Sequence, residues 1–326
     1  MPEAGGMTDA HTTPGETPTQ AADRLLFILA ADHRDSLERE LYKLTAKPTP
    51  QQAARIASDK LLIYRAVLDA AGELPAGVQP GILIDEQYGA SAAELAASSG
   101  GTVNLSMPLE ASGHPFFEFA YGDDWQRHGE FFGTDHSKVL VRDNPGFDPA
   151  DREKQAETLA GVSAWAESSG HPLILELLVP ATDADTAAVG GDSDRYDRES
   201  RPGLTVDVMH FLQDHGVSPA FWKIEGLETT DAAQAVARAA VRGGRAAKCI
   251  VLGRHAPTDR LDRWLDTAAP VEGFVGFAIG RSIWWDALQG HLDGTLSAGE
   301  AQAQIREAYL GFAKDYLRAA GRSGQR

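Results

Sequence analysis

Ala220-Phe221-Trp222-Lys223-Ile224-Glu225-Gly226 is a short apolar run that carries two charges. Bounded runs of this length, rich in aromatic and branched residues, predict a β-strand. Side chains alternate across a strand, so Lys223 and Glu225 share a face with Phe221, while Trp222 and Ile224 take the other. An ammonium in an apolar setting is costly unless it is paired or gives up its proton. A desolvated lysine without its proton is the nucleophile that condenses with carbonyl compounds to form a Schiff base. The structural alternative is a Lys223–Glu225 ion pair, or a lysine whose tip reaches solvent at the strand end. The run alone leaves both open.

Seven similar runs lie outward from it: Leu25–Ala31, Gly81–Asp85, Thr102–Ser106, Lys138–Arg142, Leu173–Leu178, Lys248–Leu252 and Gly273–Ile279. Amphipathic stretches separate them, including Gln51–Ala71, Ala150–Ser168, Leu204–Asp214, Thr230–Arg242 and Asp259–Thr267. Pro149-Ala150-Asp151 and Thr229-Thr230-Asp231 read as helix starts, and Gly216, Gly243 and Gly244 as left-handed helix ends. Strands alternating with helices imply βαβ units and a parallel sheet. Eight repeats predict an α/β fold of one closed (β/α)₈ TIM barrel over residues 23–320, with Ser282–His291 and Ser297–Ala319 covering it. No Gly-x-Gly-x-x-Gly follows the first run, which weakens a dinucleotide-binding reading.

Length and charge agree with this. The 326 residues exceed the roughly 250 of a typical barrel without demanding a second domain. With 47 acidic against 30 basic residues the net charge is −17, which argues against nucleic acid or an anionic membrane as partner. Cys249 is the single cysteine, so no intramolecular disulfide can form; it reads as a small buried hydrophobe. No apolar stretch approaches a membrane span. Residues 1–22 read as a disordered tail with no signal-peptide pattern, and residues 321–326 as a flexible one. Translation could start at Met1 or Met7, the cytoplasm is the expected compartment, and a homo-oligomer is compatible with these features.

Active sites of such barrels lie at the C-terminal strand ends. Here those ends carry Asp32-His33-Arg34, Asp85-Glu86, Arg142-Asp143-Asn144, Glu176, Lys223 with Glu225, Gly253-Arg254-His255 and Gly280-Arg281-Ser282. Charges converging from seven strand ends point to a site rather than to core packing. The last two are the usual place for a phosphate: Gly253 and Gly280 allow close backbone approach, and Arg254 and Arg281 supply charge. His33, His136 and His255 share no metal-ligand spacing. A Mg²⁺ held by Asp85, Glu86, Glu176 and Glu225 would be repelled by a lysine on the same inner face. Neither a metal nor another cofactor is expected.

Taken together, Ala30-Ala31-Asp32-His33-Arg34, Ile84-Asp85-Glu86-Gln87-Tyr88-Gly89, Glu176-Leu177-Leu178-Val179-Pro180, Trp222-Lys223-Ile224-Glu225 and Gly280-Arg281-Ser282 resemble a family of unknown function. That family occurs as the C-terminal domain of fused inositol-catabolism kinases (5-dehydro-2-deoxygluconokinase). It is similar in turn to class I tagatose-1,6-bisphosphate and sulfofructose-phosphate aldolases. The likeness runs from about Leu25 to about Ala319. It implies Lys223 as the Schiff-base lysine, Glu176 as proton carrier, Asp32, Arg34 and Lys138 as site residues, and Gly280 with Arg281 as phosphate ligands. The aldolases read Asp-Gln-Arg-Gly where this chain has Asp32-His33-Arg34-Asp35, and a proline follows their Lys-Val-Glu where Gly226-Leu227 stands here. The 326 residues contain no stretch that resembles the kinase half of the fused relatives.

The implied activity is that of a lyase: a class I aldolase cleaving a phosphorylated keto-sugar or keto-sugar acid. The candidate is 2-deoxy-5-ketogluconate 6-phosphate, split to dihydroxyacetone phosphate and malonate semialdehyde. Lys138 and Arg142 share a strand face, placed to act electrostatically on Lys223 or to bind the acidic end of the substrate. Two rivals stand beside this reading: a metal-dependent lyase or isomerase using the carboxylates, and a non-catalytic sugar-phosphate sensor. The Gly- and Asp-rich segment from Asp183 to Pro202 is expected to form a mobile lid, with Arg195, Arg198 and Arg201 free to reach an anion.

Overall fold

Each apolar run is a strand in the structure, a computed structural model that describes residues 24–322. The tail expected over residues 1–22 and the last residues of the C-terminal one lie outside the described residues. In chain order the elements are β1 (Leu25–Ala31), α1 (Pro50–Ala71), β2 (Val78–Ile84), α2 (Glu86–Ala97), β3 (Asn104–Pro108), α3 (Trp125–Phe131), β4 (His136–Arg142) and α4 (Pro149–Ser169). They continue with β5 (Leu173–Leu178), α5 (Asp183–Ala188), α6 (Arg201–Asp214), β6 (Phe221–Glu225), α7 (Thr230–Ala240), β7 (Lys248–Leu252), α8 (Thr258–Ala268), β8 (Phe274–Ile279), α9 (Arg281–Leu292) and α10 (Ala298–Ala319). All strand pairs are parallel, and β1 pairs with both β2 and β8, so the sheet closes into a (β/α)₈ barrel.

Alternation along the strands separates two cores. Phe27, Leu29, Trp222, Ile224, Cys249 and Val251 point outward into the layer between sheet and helices. Leu26, Ile28, Ala30, Leu83, Ile174, Ile250 and Ala278 fill the barrel itself as a second, smaller cluster. That plug forms the floor on which the polar residues stand. Helix ends follow local chemistry. Thr49 and Gln52 make a reciprocal capping box with Pro50 opening α1, and Ser297 with Glu300 does the same for α10. Asp148, one residue ahead of the expected start, caps α4, and Thr229 caps α7. The long α10 packs against α1 and α9 over the β8–β1 seam, where the Tyr309 hydroxyl donates to the Phe27 carbonyl at 2.7 Å. No helix of the described residues is long and apolar enough to cross a membrane.

The segment after β5 differs from the mobile lid expected of it. It folds as α5, a helical turn at Ser193–Arg195 and a π-helical turn at Tyr196–Ser200 that runs into α6. Its apolar and ionic anchors, hard to see among the glycines and aspartates, hold it down. Tyr196 is buried and donates to the Val179 carbonyl at 2.9 Å. Arg201 is fully buried and donates to Asp197 at 2.9 Å and to the Gly226 carbonyl at 2.8 Å, so it is not free to reach an anion. Arg195 and Arg198 are both paired with Glu199.

Gly226, which follows the Lys223-Ile224-Glu225 triplet, is required by packing. A Cβ there would lie 1.8 Å from the indole of Trp264, and that ring is fixed by its N–H donating to Glu228 at 3.0 Å. Gly226→Ala should therefore cost about 3 kcal/mol, the upper end of overpacking effects. A urea midpoint unchanged from the parent chain would show that the ring can move aside.

Candidate active site

The sheet register brings the inner-face charges together. Glu176 on β5 is the direct neighbour of Lys223 on β6, and Lys138 points inward from β4 on the other side of Glu176. Lys223 is 2 % exposed and its Nζ lies 3.0 Å from Glu176 Oε2. Lys138, equally enclosed, sits at 2.8 Å from the same Oε2, 2.8 Å from Asp32 Oδ2 and 2.7 Å from Glu110 Oε1. Two lysines and three carboxylates thus alternate across the barrel floor. Of the structural alternatives for Lys223, neither is formed: its tip is buried, and Glu225 turns elsewhere. Glu225 accepts from the Val179 amide at 2.8 Å and pairs with Arg254 at 3.1 Å, with Arg201 at 3.8 Å.

Burial and neighbours act against each other in this cluster. Burial by itself would lower Lys138, yet the carboxylates of Asp32, Glu110 and Glu176 outweigh it and hold the ammonium well above the usual lysine range. Burial likewise opposes ionisation of Glu176, but Lys138 and Lys223 keep it below the ordinary carboxylate range. Asp32 is held low against burial by the same two lysines. Glu110 and Glu225 go the other way, because burial dominates over their cationic partners. The floor therefore holds Glu176 and Asp32 as carboxylates around a permanently charged Lys138.

Above the floor opens a cavity of about 660 Å³, bounded by the C-terminal ends of the strands. Six acids (Asp32, Glu110, Glu176, Asp192, Asp197, Glu225) and six bases (Arg34, Lys138, Arg142, Lys223, Arg254, Arg281) line it. In a chain of net charge −17 this balance is a local enrichment in cations. Gly253 and Gly280 also line the wall. A Cβ on Gly280 would lie 2.4 Å from the Ala30 carbonyl, so only glycine lets β8 lie this close to β1. Arg254 and His255 both adopt left-handed backbone, with φ of 50° and 55°, which makes the turn after β7 unusually tight. Arg281 extends over the Trp285 ring and pairs with Glu40 at 2.6 Å. Burial keeps His33, against Trp284 in the same wall, neutral with its pKa pushed down to about 3.

Two of the residues expected in the site stand outside it. Asp85 is buried, caps α2 through the Tyr88 amide at 2.9 Å and pairs with Lys60 of α1. Glu86 turns away to His128, 2.7 Å off. Neither lines the cavity, because the helix begins directly after β2 and draws both into its first turn. His136 lies deep in the barrel, 3.3 Å from Ser106 Oγ, so the three histidines do not converge. Among the described residues no three His, Cys, Asp or Glu side chains are grouped to hold a metal ion. Glu110 and Asp197 went unread in the sequence. Glu110 lies in the irregular stretch after β3, where no periodicity marks it. Asp197 lies in the segment read as a lid; its spacing of four from Arg201, typical of helical ion pairs, was the available signal.

If Arg281 binds phosphate, it must exchange Glu40 for the ligand. Arg281→Ala is then expected to weaken a phosphorylated ligand at least about tenfold more than its unphosphorylated analogue, as a charge-assisted hydrogen bond contributes roughly 1.5–3 kcal/mol. Equal losses in calorimetric titrations of the two would make Arg281 a structural residue.

A closed parallel barrel with lysines and carboxylates interleaved at its C-terminal mouth defines a (β/α)₈ protein with a polar site at the usual end of the fold. The chain belongs to the family described as "Uncharacterized protein conserved in bacteria (DUF2090)", whose match extends over residues 11–319. Among solved structures it is similar to the fructose-bisphosphate aldolase of Plasmodium falciparum, seen there with TRAP and a small-molecule inhibitor. That likeness has a TM-score of 0.63 at 13% identity, covering 93% of this chain and 94% of the other. It is also similar to Cgl0159 from Corynebacterium glutamicum (Brevibacterium flavum), with a TM-score of 0.57 at 19% identity over 92% and 93% of the two chains. At these identities the likeness is one of fold. No curated protein matches the chain.

Proposed function

We propose that this chain is a lyase, a class I aldolase that cleaves a phosphorylated keto-sugar or keto-sugar acid through a Schiff base on Lys223. The observation that carries the reading is the enclosed Lys223 Nζ on the cavity floor, 3.0 Å from a carboxylate that Lys138 shares. Glu176 accepts the proton that Lys223 must lose, and the amine attacks the ketone carbon. The carbinolamine loses water, for which Glu176 returns the proton, to give an iminium. A base, Glu176 or Asp32, then takes the proton of the hydroxyl on the far carbon of the bond to be broken. That oxygen's electrons form the new aldehyde, the carbon–carbon bond breaks, and its electron pair passes to the iminium as an enamine. Protonation of the enamine carbon and addition of water release the ketone product and restore Lys223. Lys138 stays charged throughout and orients Asp32, Glu110 and Glu176.

The candidate substrate is 2-deoxy-5-ketogluconate 6-phosphate, with dihydroxyacetone phosphate and malonate semialdehyde as products; the resemblance to inositol-catabolism proteins supports it. The phosphate would lie by Gly253, Arg254, Gly280 and Arg281. Reduction with borohydride in the presence of dihydroxyacetone phosphate tests the reading. A stable adduct on the peptide containing Lys223 is expected in the mass spectrum. Clear binding with no adduct would favour a sugar-phosphate sensor instead.

A further inference from the structure

The motif Ile84-Asp85-Glu86-Gln87-Tyr88-Gly89 follows the end of β2, yet none of its side chains lines the cavity. Its partners lie behind the cavity wall. Asp85 pairs with Lys60 of α1, and Lys60 Nζ also donates to the His33 carbonyl at 2.9 Å. The second oxygen of Asp85 accepts from the Tyr88 amide at 2.9 Å, and the Tyr88 hydroxyl donates to Glu38 at 2.6 Å. Two arms thus reach residues 32–41 from outside the barrel mouth, one at His33 and one at Glu38. Around the second the chain makes a π-helical turn, Leu37–Leu41, a geometry that is rare and found mostly at functional sites. The same segment supplies Asp32, His33 and Arg34 to the cavity and, through Glu40, the partner of Arg281.

Stability alone does not account for Lys60. It is 1 % exposed, and its neighbours on the same face of α1, Ile56, Ile63 and Val67, are apolar. A buried ion pair gains little or nothing over apolar side chains of the same volume, so the core would be served as well without it. What the ammonium adds is a donor for the one backbone carbonyl that stands between Asp32 and Arg34. The sheet register agrees. Ala31 pairs with Ile84, so Asp32 and Asp85 follow as neighbours on adjoining strand ends. Asp32 turns to Lys138 in the cavity and Asp85 to Lys60 behind it, which gives each carboxylate a lysine of its own.

We infer that Lys60 is a positioning residue of the site: by holding the His33 carbonyl it fixes the backbone from which Asp32 reaches Lys138 and Arg34 reaches Glu110. Asp85 serves it as counter-ion. The consequence for catalysis rests on the aldolase reading, in which Asp32 must keep its place while protons move; the hold on residues 32–41 does not.

Three measurements on the full chain test this. They are the urea midpoint, hydrogen exchange of the peptide covering residues 32–41, and the rate of borohydride-trapped adduct at saturating dihydroxyacetone phosphate. Lys60→Met strands the Asp85 carboxylate and should lower the midpoint. Lys60→Met combined with Asp85→Asn removes both charges, keeps an oxygen to cap α2, and should restore most of it. In this double variant residues 32–41 should still exchange at least about tenfold faster than in the parent, the scale of a lost charged hydrogen bond. The trapping rate should fall by a similar factor, with the half-saturating concentration little changed. Exchange or trapping that recovers together with the midpoint would make Lys60 a core ion pair and overturn the inference. Faster exchange spread evenly over the barrel, or a midpoint that stays low, would do the same. A parent chain that gives no adduct sinks the aldolase reading instead, and exchange of residues 32–41 then decides by itself whether Lys60 positions them.

Discussion

Lys223→Met should abolish the borohydride adduct and slow carbon–carbon cleavage by on the order of 10³-fold or more, the scale on which loss of a covalent nucleophile is felt. Methionine is the right probe because it fills the space of the lysine stem with a flexible apolar chain. Glu176 is not stranded by the change, since Lys138 stays 2.8 Å from the same oxygen. Fold and ligand binding should therefore persist, and circular dichroism and calorimetry can confirm both. Lys223→Arg is the companion variant: it keeps a cation beside Glu176 but cannot form the imine. Cleavage retained in either variant would sink the Schiff-base mechanism and promote a metal-dependent one, which loss of activity on chelation would then support.

The second large effect falls on stability. Lys138→Met removes the cation that Asp32, Glu110 and Glu176 all contact, leaving three enclosed carboxylates with Lys223 and Arg34 as nearest positive charges. Breaking a buried ionic cluster from one side costs about 3–5 kcal/mol, because the remaining charges stay desolvated. The effect depends on pH with a definite sign. In the parent chain Asp32 and Glu176 are held below the ordinary carboxylate range. Each therefore contributes stability above the unfolded-state pKa and loses it as pH falls through the folded one. Without Lys138 their ionised forms oppose folding, so protonation relieves the variant while it destabilises the parent. The deficit, read from urea midpoints, should shrink as pH falls from neutral through the unfolded carboxylate range of about 4. A deficit that is constant with pH, or one below about 1 kcal/mol, would show that water rather than Lys138 solvates the cluster.

The barrel was legible because strands buried on both faces read as continuous apolar runs, and eight of them recur between amphipathic stretches. Strand boundaries moved by one to three residues where flanking residues were apolar or polar enough to extend or shorten a run, as for β2 and β3. Lys223, Glu176 and Lys138 were legible for the opposite reason: charge is conspicuous in such a run, and period-two alternation states which face it occupies. Asp85 misled because its position at a strand end has two readings. Whether a carboxylate there enters the cavity or caps the next helix depends on a partner, Lys60, that lies 25 residues away in α1. Glu110 carried no periodic signal. The helical segment after β5 was obscured by its composition, since glycine and aspartate at helix ends resemble those of a loop.

Asp197 receives Arg201 at 2.9 Å, Arg254 at 3.1 Å and Arg260 at 3.1 Å, that is, groups from its own helix, from the turn after β7 and from α8. Two of these partners lie 57 and 63 residues along the chain, on elements that must already be paired and packed before they can present a guanidinium to it. The wall formed by residues 183–201 is thereby tied to the second half of the barrel, and long-range contacts of this kind are expected to form late in folding. Contacts made after the transition state slow unfolding without speeding folding. Loss of the Asp197 junction is thus expected to shorten the lifetime of the assembled mouth while leaving the rate of its assembly to the strands beneath.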